Sequence, residues 1–214
     1  MPRYIVLDIE TIPHPDSAQW LGPVLPAANL KDPAKIAASI EERTKDRDDK
    51  LGLDPDCCQI VALGYHVIGN AEPFCDVTQG DEKAEGDAID HLAWSINKHP
   101  DTQLVTFYGR QFDLPVVLRR AFYLGIKFPA LNLDRYRSPH IDVWDVMTFN
   151  GALKTAHSLK FYCKRLGIDT RDPVDGAQVS DLAKAGRWDD IRDHCIADVG
   201  ATHMLASKLG LLKL

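Results

Sequence analysis

Tyr4-Ile5-Val6-Leu7-Asp8-Ile9-Glu10-Thr11 joins a short aliphatic run to two acids one residue apart. Ile5, Val6 and Leu7 are β-branched or aliphatic and too few for a helix, so the stretch predicts a buried strand. Side chains alternate along a strand, which sends Asp8 and Glu10 to one face with only Ile9 between them. Two carboxylates held this close repel unless a cation neutralises them. Hard divalent ions take such incomplete oxygen cages and keep positions for water and phosphate. The same pair also suits a strand that merely leaves the core, so its meaning depends on where other acids fall.

Composition narrows the setting. The chain has 214 residues, 45% hydrophobic and 26% charged, which suits one soluble domain with a substantial core and room for an insertion. A formal net charge of −6 excludes the global basic surface of a tight non-specific duplex binder. Contact with nucleic acid would therefore be local, with the acidic centre masked by metal. No apolar run approaches the length of a membrane span, and the first residues enter a strand where a signal peptide would lie. The five cysteines (Cys57, Cys58, Cys75, Cys163, Cys195) lack paired Cys-x-x-Cys spacing. This argues against a zinc site or disulfide framework and predicts a reducing, cytoplasmic setting.

Beyond the first strand, about 13–56 holds six prolines and a mixed-charge run. Ile36 and Ile40 give it one modest helical stripe. So long an excursion between strands predicts a lid-like insertion over a binding groove. Strands are then expected over Cys58–Ile68, Phe74–Thr78 and Gln103–Phe107, with a helix over Ala84–Asn97 before the last of these. In Phe107-Tyr108-Gly109-Arg110-Gln111-Phe112-Asp113 a strand ends, Gly109 permits a tight turn, and Asp113 stands where a helix begins. Pro115 supports that helix start, so Asp113 is expected as its N-cap, a position that would also hold a carboxylate rigidly at the mouth of the sheet. A strand over Ile141–Val143 follows, preceded by His140 and followed by Trp144-Asp145, and the His140-x-Asp142 pair, though it has ligand chemistry, is read as structural. Helices are expected over Ser158–Leu166, Gln178–Ala185 and about Trp188–Leu209. On the last, His194, Asp198 and Thr202 recur at i, i+4 and i+8 and share a face. An acid on such a face, flanked by Ala197 and Ala201, needs compensation, and a metal provides it.

Asp-Ile-Glu-Thr at 8–11, Gly-x-x-Phe-Asp at 109–113 and Cys-x-x-Asp-Val-x-x-Thr at 195–202 resemble the three motifs of the DEDD 3′–5′ exonucleases. The likeness is closest to the proofreading domain of family-B DNA polymerases and its stand-alone relatives. Ser158-Leu159-Lys160 and Asp175-Gly176-Ala177-Gln178-Val179 are similar to that group as well. The resemblance implies an α/β, ribonuclease-H-like fold: a mixed five-stranded sheet flanked by helices, in a single exonuclease domain over 1–214. It also implies two divalent ions, Mg²⁺ or Mn²⁺. Asp8, Glu10 and Asp198 would hold the ion that activates the attacking water. Asp8, with Asp113 acting through water, would hold the ion at the leaving oxygen, and two metals about 3.5–4 Å apart would clamp an in-line displacement. Thr11, Tyr108, Gly109 and Phe112 are expected to touch substrate. The implied partner is a single-stranded 3′ end, DNA favoured, with an RNA-trimming exoribonuclease and a catalytically weak nucleic-acid-binding module as alternatives. A haloacid-dehalogenase-type phosphatase would need Asp at position 10, where Glu stands.

Two departures mark this chain. His194 occupies the place, four residues before the last Asp, where similar enzymes usually carry Tyr. The branch that uses His places it five residues before, about 100° around a helix. His194 is expected to point into the site and to orient or deprotonate the attacking water. Tyr108 stands where Asn commonly precedes the glycine, at a position that usually touches substrate, and two roles are open to it: stacking on a base or simple packing.

Overall fold

A computed structural model describes residues 3–99, 101–170, 172 and 174–213. Five strands, β1 (Arg3–Pro13), β2 (Cys58–Val67), β3 (Phe74–Val77), β4 (Thr102–Thr106) and β5 (Ile141–Asp142), form one sheet in the order β3-β2-β1-β4-β5. β1 and β3 each pair antiparallel with β2, whereas β4 and β5 continue the sheet in parallel with β1. The mixed five-stranded sheet expected from the sequence is therefore present, with β1 at its centre.

Alternation along β1 decides what lies on each face. Ile5, Leu7 and Ile9 pack into a core with α3 (Glu82–Asn97) and α4 (Asp113–Tyr123). Tyr4 and Val6 face the other way, into a core with α6 (Leu159–Arg165) and α8 (Trp188–Lys208). By the same alternation Asp8 and Glu10 belong to the α8 face. Gly64, paired with Asp8, lets α8 approach: a Cβ there would stand 2.7 Å from Cys195 Sγ and 3.2 Å from Val199 Cγ2. Cys195 Sγ in turn lies 3.6 Å from the Asp8 carbonyl oxygen, so the helix is seated against the acidic end of the strand.

Parallel pairing of β1 with β4 ends at Val6–Val105, while pairing with β2 runs on to Pro13. One side of β1 is thus open beyond Val6, and the acids sit beside that opening. The insertion between Pro13 and Asp56 forms α1 (Ser17–Trp20), α2 (Pro33–Asp48) and a single 3₁₀ turn at Leu51–Leu53. Asp32 caps α2 and Pro33 begins it, yet α2 buries no side chain. A groove of about 1250 Å³ runs between residues 21–25 and the segment from Arg43 to Pro55.

The remaining helices depart from expectation in small ways with clear causes. The fifth strand holds two residues, not three, because the Asp142 side chain accepts from the Trp144 amide and starts α5 (Val143–Met147). Ser158 caps α6. A 3₁₀ turn over Gly176–Gln178, closed by a capping box from Asp175, precedes α7 (Val179–Lys184).

Candidate active site

Four carboxylates and one imidazole meet at the open end of β1. Glu10 and Asp113 are buried, and Asp8 and Asp198 are half-buried. Asp113 is not the N-cap of α4. Phe112 occupies that position without a side-chain cap, and Asp113 is the first helical residue. Its Oδ1 instead accepts from the Ile9 amide at 3.2 Å, a donor that the early end of β4 leaves available. The acid that leads α4 is thereby tied to the strand that carries the other two.

From α8, His194 is 2% exposed, with Nε2 3.3 Å from Glu10 Oε1. Asp198 follows one turn later. Single ligand-type atoms of Glu10, His194 and Asp198 all lie within 4.8 Å of one another. Among the described residues, Asp198 Oδ1 and His194 Nε2 are buried without a hydrogen-bond partner, as is Thr202 Oγ1 further along the same helix. Buried polar atoms left without a partner are costly and call for a ligand.

The charge balance points the same way. Burial, then the charges of Asp113, Glu10 and Asp198, push Asp8 well above the usual carboxylate range. Burial, then Asp198, Asp113 and Asp172, do the same to Glu10. Asp113 is pushed up to about 7, chiefly by burial, against hydrogen bonds to its carboxyl. Asp198 is raised by burial, with His194 opposing. Desolvation and like charge together disfavour the ionised forms, and a bound cation would reverse both. The donor set, all carboxylate oxygen with one imidazole nitrogen, fits a hard divalent ion such as Mg²⁺ or Mn²⁺.

The loop that leads to Asp113 is braced from β5. Asp142 accepts from the Tyr108 amide at 2.9 Å and the Arg110 amide at 2.9 Å. Arg110 Nε lies 2.6 Å from Asp145 Oδ2, and Arg135 lies 3.1 Å from the other oxygen of Asp145. Gly109 has no alternative, since a Cβ would stand 2.3 Å from Thr106 Oγ1. Tyr108 is held at φ 68°, left-handed backbone that a tyrosine rarely adopts, with its ring exposed and edge-on to Trp144 at 5.0 Å. His140 keeps a structural place, its Nε2 2.9 Å from Thr106 Oγ1.

The profile of a family described as predicted 3′–5′ exonucleases related to the exonuclease domain of PolB matches residues 53–213. The chain belongs to this family. No match is found among curated proteins. Among solved structures, the family B DNA polymerase from the hyperthermophilic archaeon Pyrobaculum calidifontis is similar over 98% of this chain, with a TM-score of 0.64 and 15% identity. The chain spans 24% of that polymerase's length, and the likeness shows a shared fold.

The exonuclease-family match begins at residue 53, so the acids of β1 lie outside it and join the matched motifs only through folding. The structure gathers Asp8, Glu10, Asp113, His194 and Asp198. Tyr108 and Gly109 stand on the loop into Asp113. Thr11 and Phe112 have other partners. The Thr11 hydroxyl donates to the Gly52 carbonyl at 2.6 Å, tying β1 to the end of the insertion, and Phe112 packs against the core of α3 and α4. One functional neighbour has no precedent in the sequence reading. The Asp172 side chain is 2% exposed, and its Oδ2 lies 2.8 Å from His194 Nδ1 and 2.8 Å from Lys160 Nζ. Burial opposes charge on Asp172, but Lys160, the Val174 amide and His194 outweigh it and hold its carboxyl below the usual range.

Proposed function

We propose that this protein is a metal-dependent 3′–5′ exonuclease that removes nucleotides from single-stranded ends, DNA favoured over RNA. The observation that carries this reading is the group of four carboxylates with raised pKa values around two buried polar atoms, His194 Nε2 and Asp198 Oδ1, that have no hydrogen-bond partner among the described residues. Family membership supports the reaction class, and the kinship of the family with a DNA polymerase domain favours DNA. Asp8, Glu10 and Asp198 would hold one divalent ion, and Asp8 with Asp113 a second. Such ions, when bound, supply charge neutralisation at phosphorus and lower the pKa of water.

The remaining roles belong to the chain itself. His194 Nε2 accepts the proton of the attacking water, a contribution of about 10²–10⁴-fold. Asp113, anchored through Ile9, keeps its distance from β1 fixed while substrate enters. Tyr108, exposed and braced by Asp142, offers a face on which a terminal base stacks. The insertion, with its unburied α2, serves as a cover over the incoming strand.

Strands of DNA and of RNA labelled at the 5′ end, incubated with the protein in Mn²⁺ or in EDTA, test the reading. Stepwise shortening of DNA from the unlabelled end, in Mn²⁺ alone, is the expected result. Faster shortening of RNA would move the assignment to an exoribonuclease. Retention of the strand without cleavage would reduce the protein to a binding module.

A further inference from the structure

Asp172 lies in the irregular segment between α6 and α7, yet its side chain is only 2% exposed. Its two oxygens are fully engaged. Oδ1 accepts from the Val174 amide at 3.0 Å, while Oδ2 meets Lys160 Nζ at 2.8 Å and His194 Nδ1 at 2.8 Å. Lys160 also donates to the Val174 carbonyl, so the same short segment fixes both the lysine and the acid. With an ammonium and an amide donating to it, Asp172 acts as a pure acceptor, and the nitrogen facing it must carry a proton. In a neutral imidazole that leaves Nε2 as the acceptor. Nε2 is the nitrogen that lies 3.3 Å from Glu10 Oε1, with no hydrogen-bond partner among the described residues.

We propose that Asp172 is a positioning residue that fixes His194 in the Nδ1–H form and aims the Nε2 lone pair at Glu10 and Asp198. The need arises from this chain's own departure at position 194. A phenol has one polar atom and a single hydrogen-bonding identity, so a tyrosine there needs no partner behind it. An imidazole has two nitrogens and can present either form, and a carboxylate behind the ring selects one. Lys160 completes the device by neutralising Asp172, which keeps the ring from being drawn out of the acidic group. Without Asp172, the ring would favour a proton on Nε2, directed at Glu10, and the acceptor facing the site would be lost.

The inference rests on the nuclease reading for its kinetic consequence but not for its structural one, so two measurements separate them. The first is a long-range ¹H–¹⁵N spectrum of the metal-free protein at neutral pH, with the His194 signals assigned by their loss in His194→Gln. Wild type should show Nδ1 protonated and Nε2 bare, and Asp172→Asn should shift toward the Nε2–H form. A wild-type ring protonated at Nε2, or one unchanged in Asp172→Asn, overturns the proposal whether or not the protein cleaves nucleic acid. The wild-type spectrum alone decides the point if the variant does not fold.

The second measurement is kinetic. Asp172→Asn should lower kcat by about 10²-fold with KM little changed, since an imidazole in the wrong form loses most of its value as a base. In the His194→Tyr background the same substitution should change kcat by no more than a few-fold. Equal losses in both backgrounds would make Asp172 a general scaffold residue and contradict the assignment. Absence of cleavage by wild type would overturn the nuclease reading while leaving the spectrum to judge Asp172.

Discussion

A buried acid between two helices and a group of four acids at the open end of β1 are solved in opposite ways. Between α3 and α4, Glu85 meets Arg120 through Nε–Oε1 and Nη2–Oε2 contacts of 2.7 Å each, with side chains 2% and 3% exposed. Glu85 also accepts from the Ile60 amide, so its charge is balanced inside the protein. At the open end of β1, Asp8, Glu10, Asp113 and Asp198 gather, and among the described residues none of them forms an ion pair with a lysine or arginine. Lys160 stops one residue short, on Asp172. A chain able to place a guanidinium beside one buried acid, and leaving four others unmatched, reserves the second place for a cation from solution.

The largest expected effect is on activity. Replacing Asp8, Glu10, Asp113 or Asp198 by Ala should lower turnover by several orders of magnitude, on the order of the losses seen when one member of a concerted site is removed. Glu85→Gln should leave the chemistry itself intact in whatever fraction of the protein stays folded. Full activity in Asp113→Ala would break the comparison, since it would remove one acid from the reserved set.

Stability should show the converse. Removing one partner of the Glu85–Arg120 pair strands the other, at a cost of about 3–5 kcal/mol, whereas replacing both by apolar residues should cost much less. In the metal-free protein, Asp113→Asn should hold or raise stability, because it relieves like-charge repulsion and desolvation. Urea unfolding in EDTA reads both. A destabilised Asp113→Asn would show that the acids are matched after all.

Dependence on pH sharpens the contrast further. Asp113 has an ordinary value of 3.8 and is pushed up to about 7, mainly by burial. Between these values the folded, metal-free chain holds a proton that the unfolded chain releases, so its contribution to stability falls as pH rises. His140 runs the other way: burial pulls it from 6.5 down to about 4. There the unfolded chain binds a proton that the folded one refuses, and stability rises with pH across that window by roughly 3 kcal/mol. Metal-free unfolding curves from pH 4 to 8 should therefore steepen upward in Asp113→Asn and flatten in His140→Gln.

The smallest effect on either acid group should come from α2. It buries none of its side chains, and among the described residues no ion pair links it to either group. Deleting Ile36–Lys50 should leave folding nearly untouched and weaken strand binding several-fold. Unchanged affinity and turnover would make the insertion a surface excursion.

Much of this contrast was legible in residue order. Period-two and period-3.6 patterns located β1, β2, α3, α4 and α8 to within a few residues, because each buries one continuous face. Asp8, Glu10 and Asp198 were placed by the same patterns, but joining the four acids into one site came from the resemblance of three short motifs to a nuclease family. Asp172 was not legible. It belongs to an irregular segment, where no periodicity says which way a side chain points, and its partner lies 22 residues away. Asp113 was misplaced by one position because a cap is a matter of backbone angles, and its true acceptor role depends on where β4 ends. The Glu85–Arg120 pair was equally silent, since an acid and a base 35 residues apart on two helices look like solvated charges until the helices are packed.

Thermal unfolding with and without Mn²⁺ tests the central claim most directly, on wild type beside an Asp8→Asn/Asp198→Asn double variant. Wild type should gain stability steadily as Mn²⁺ is added, and at neutral pH without metal it should melt below the double variant. The double variant should ignore the ion. A wild-type melting temperature indifferent to Mn²⁺, or a metal-free wild type more stable than the double variant, would contradict the claim that these acids are held apart for a cation.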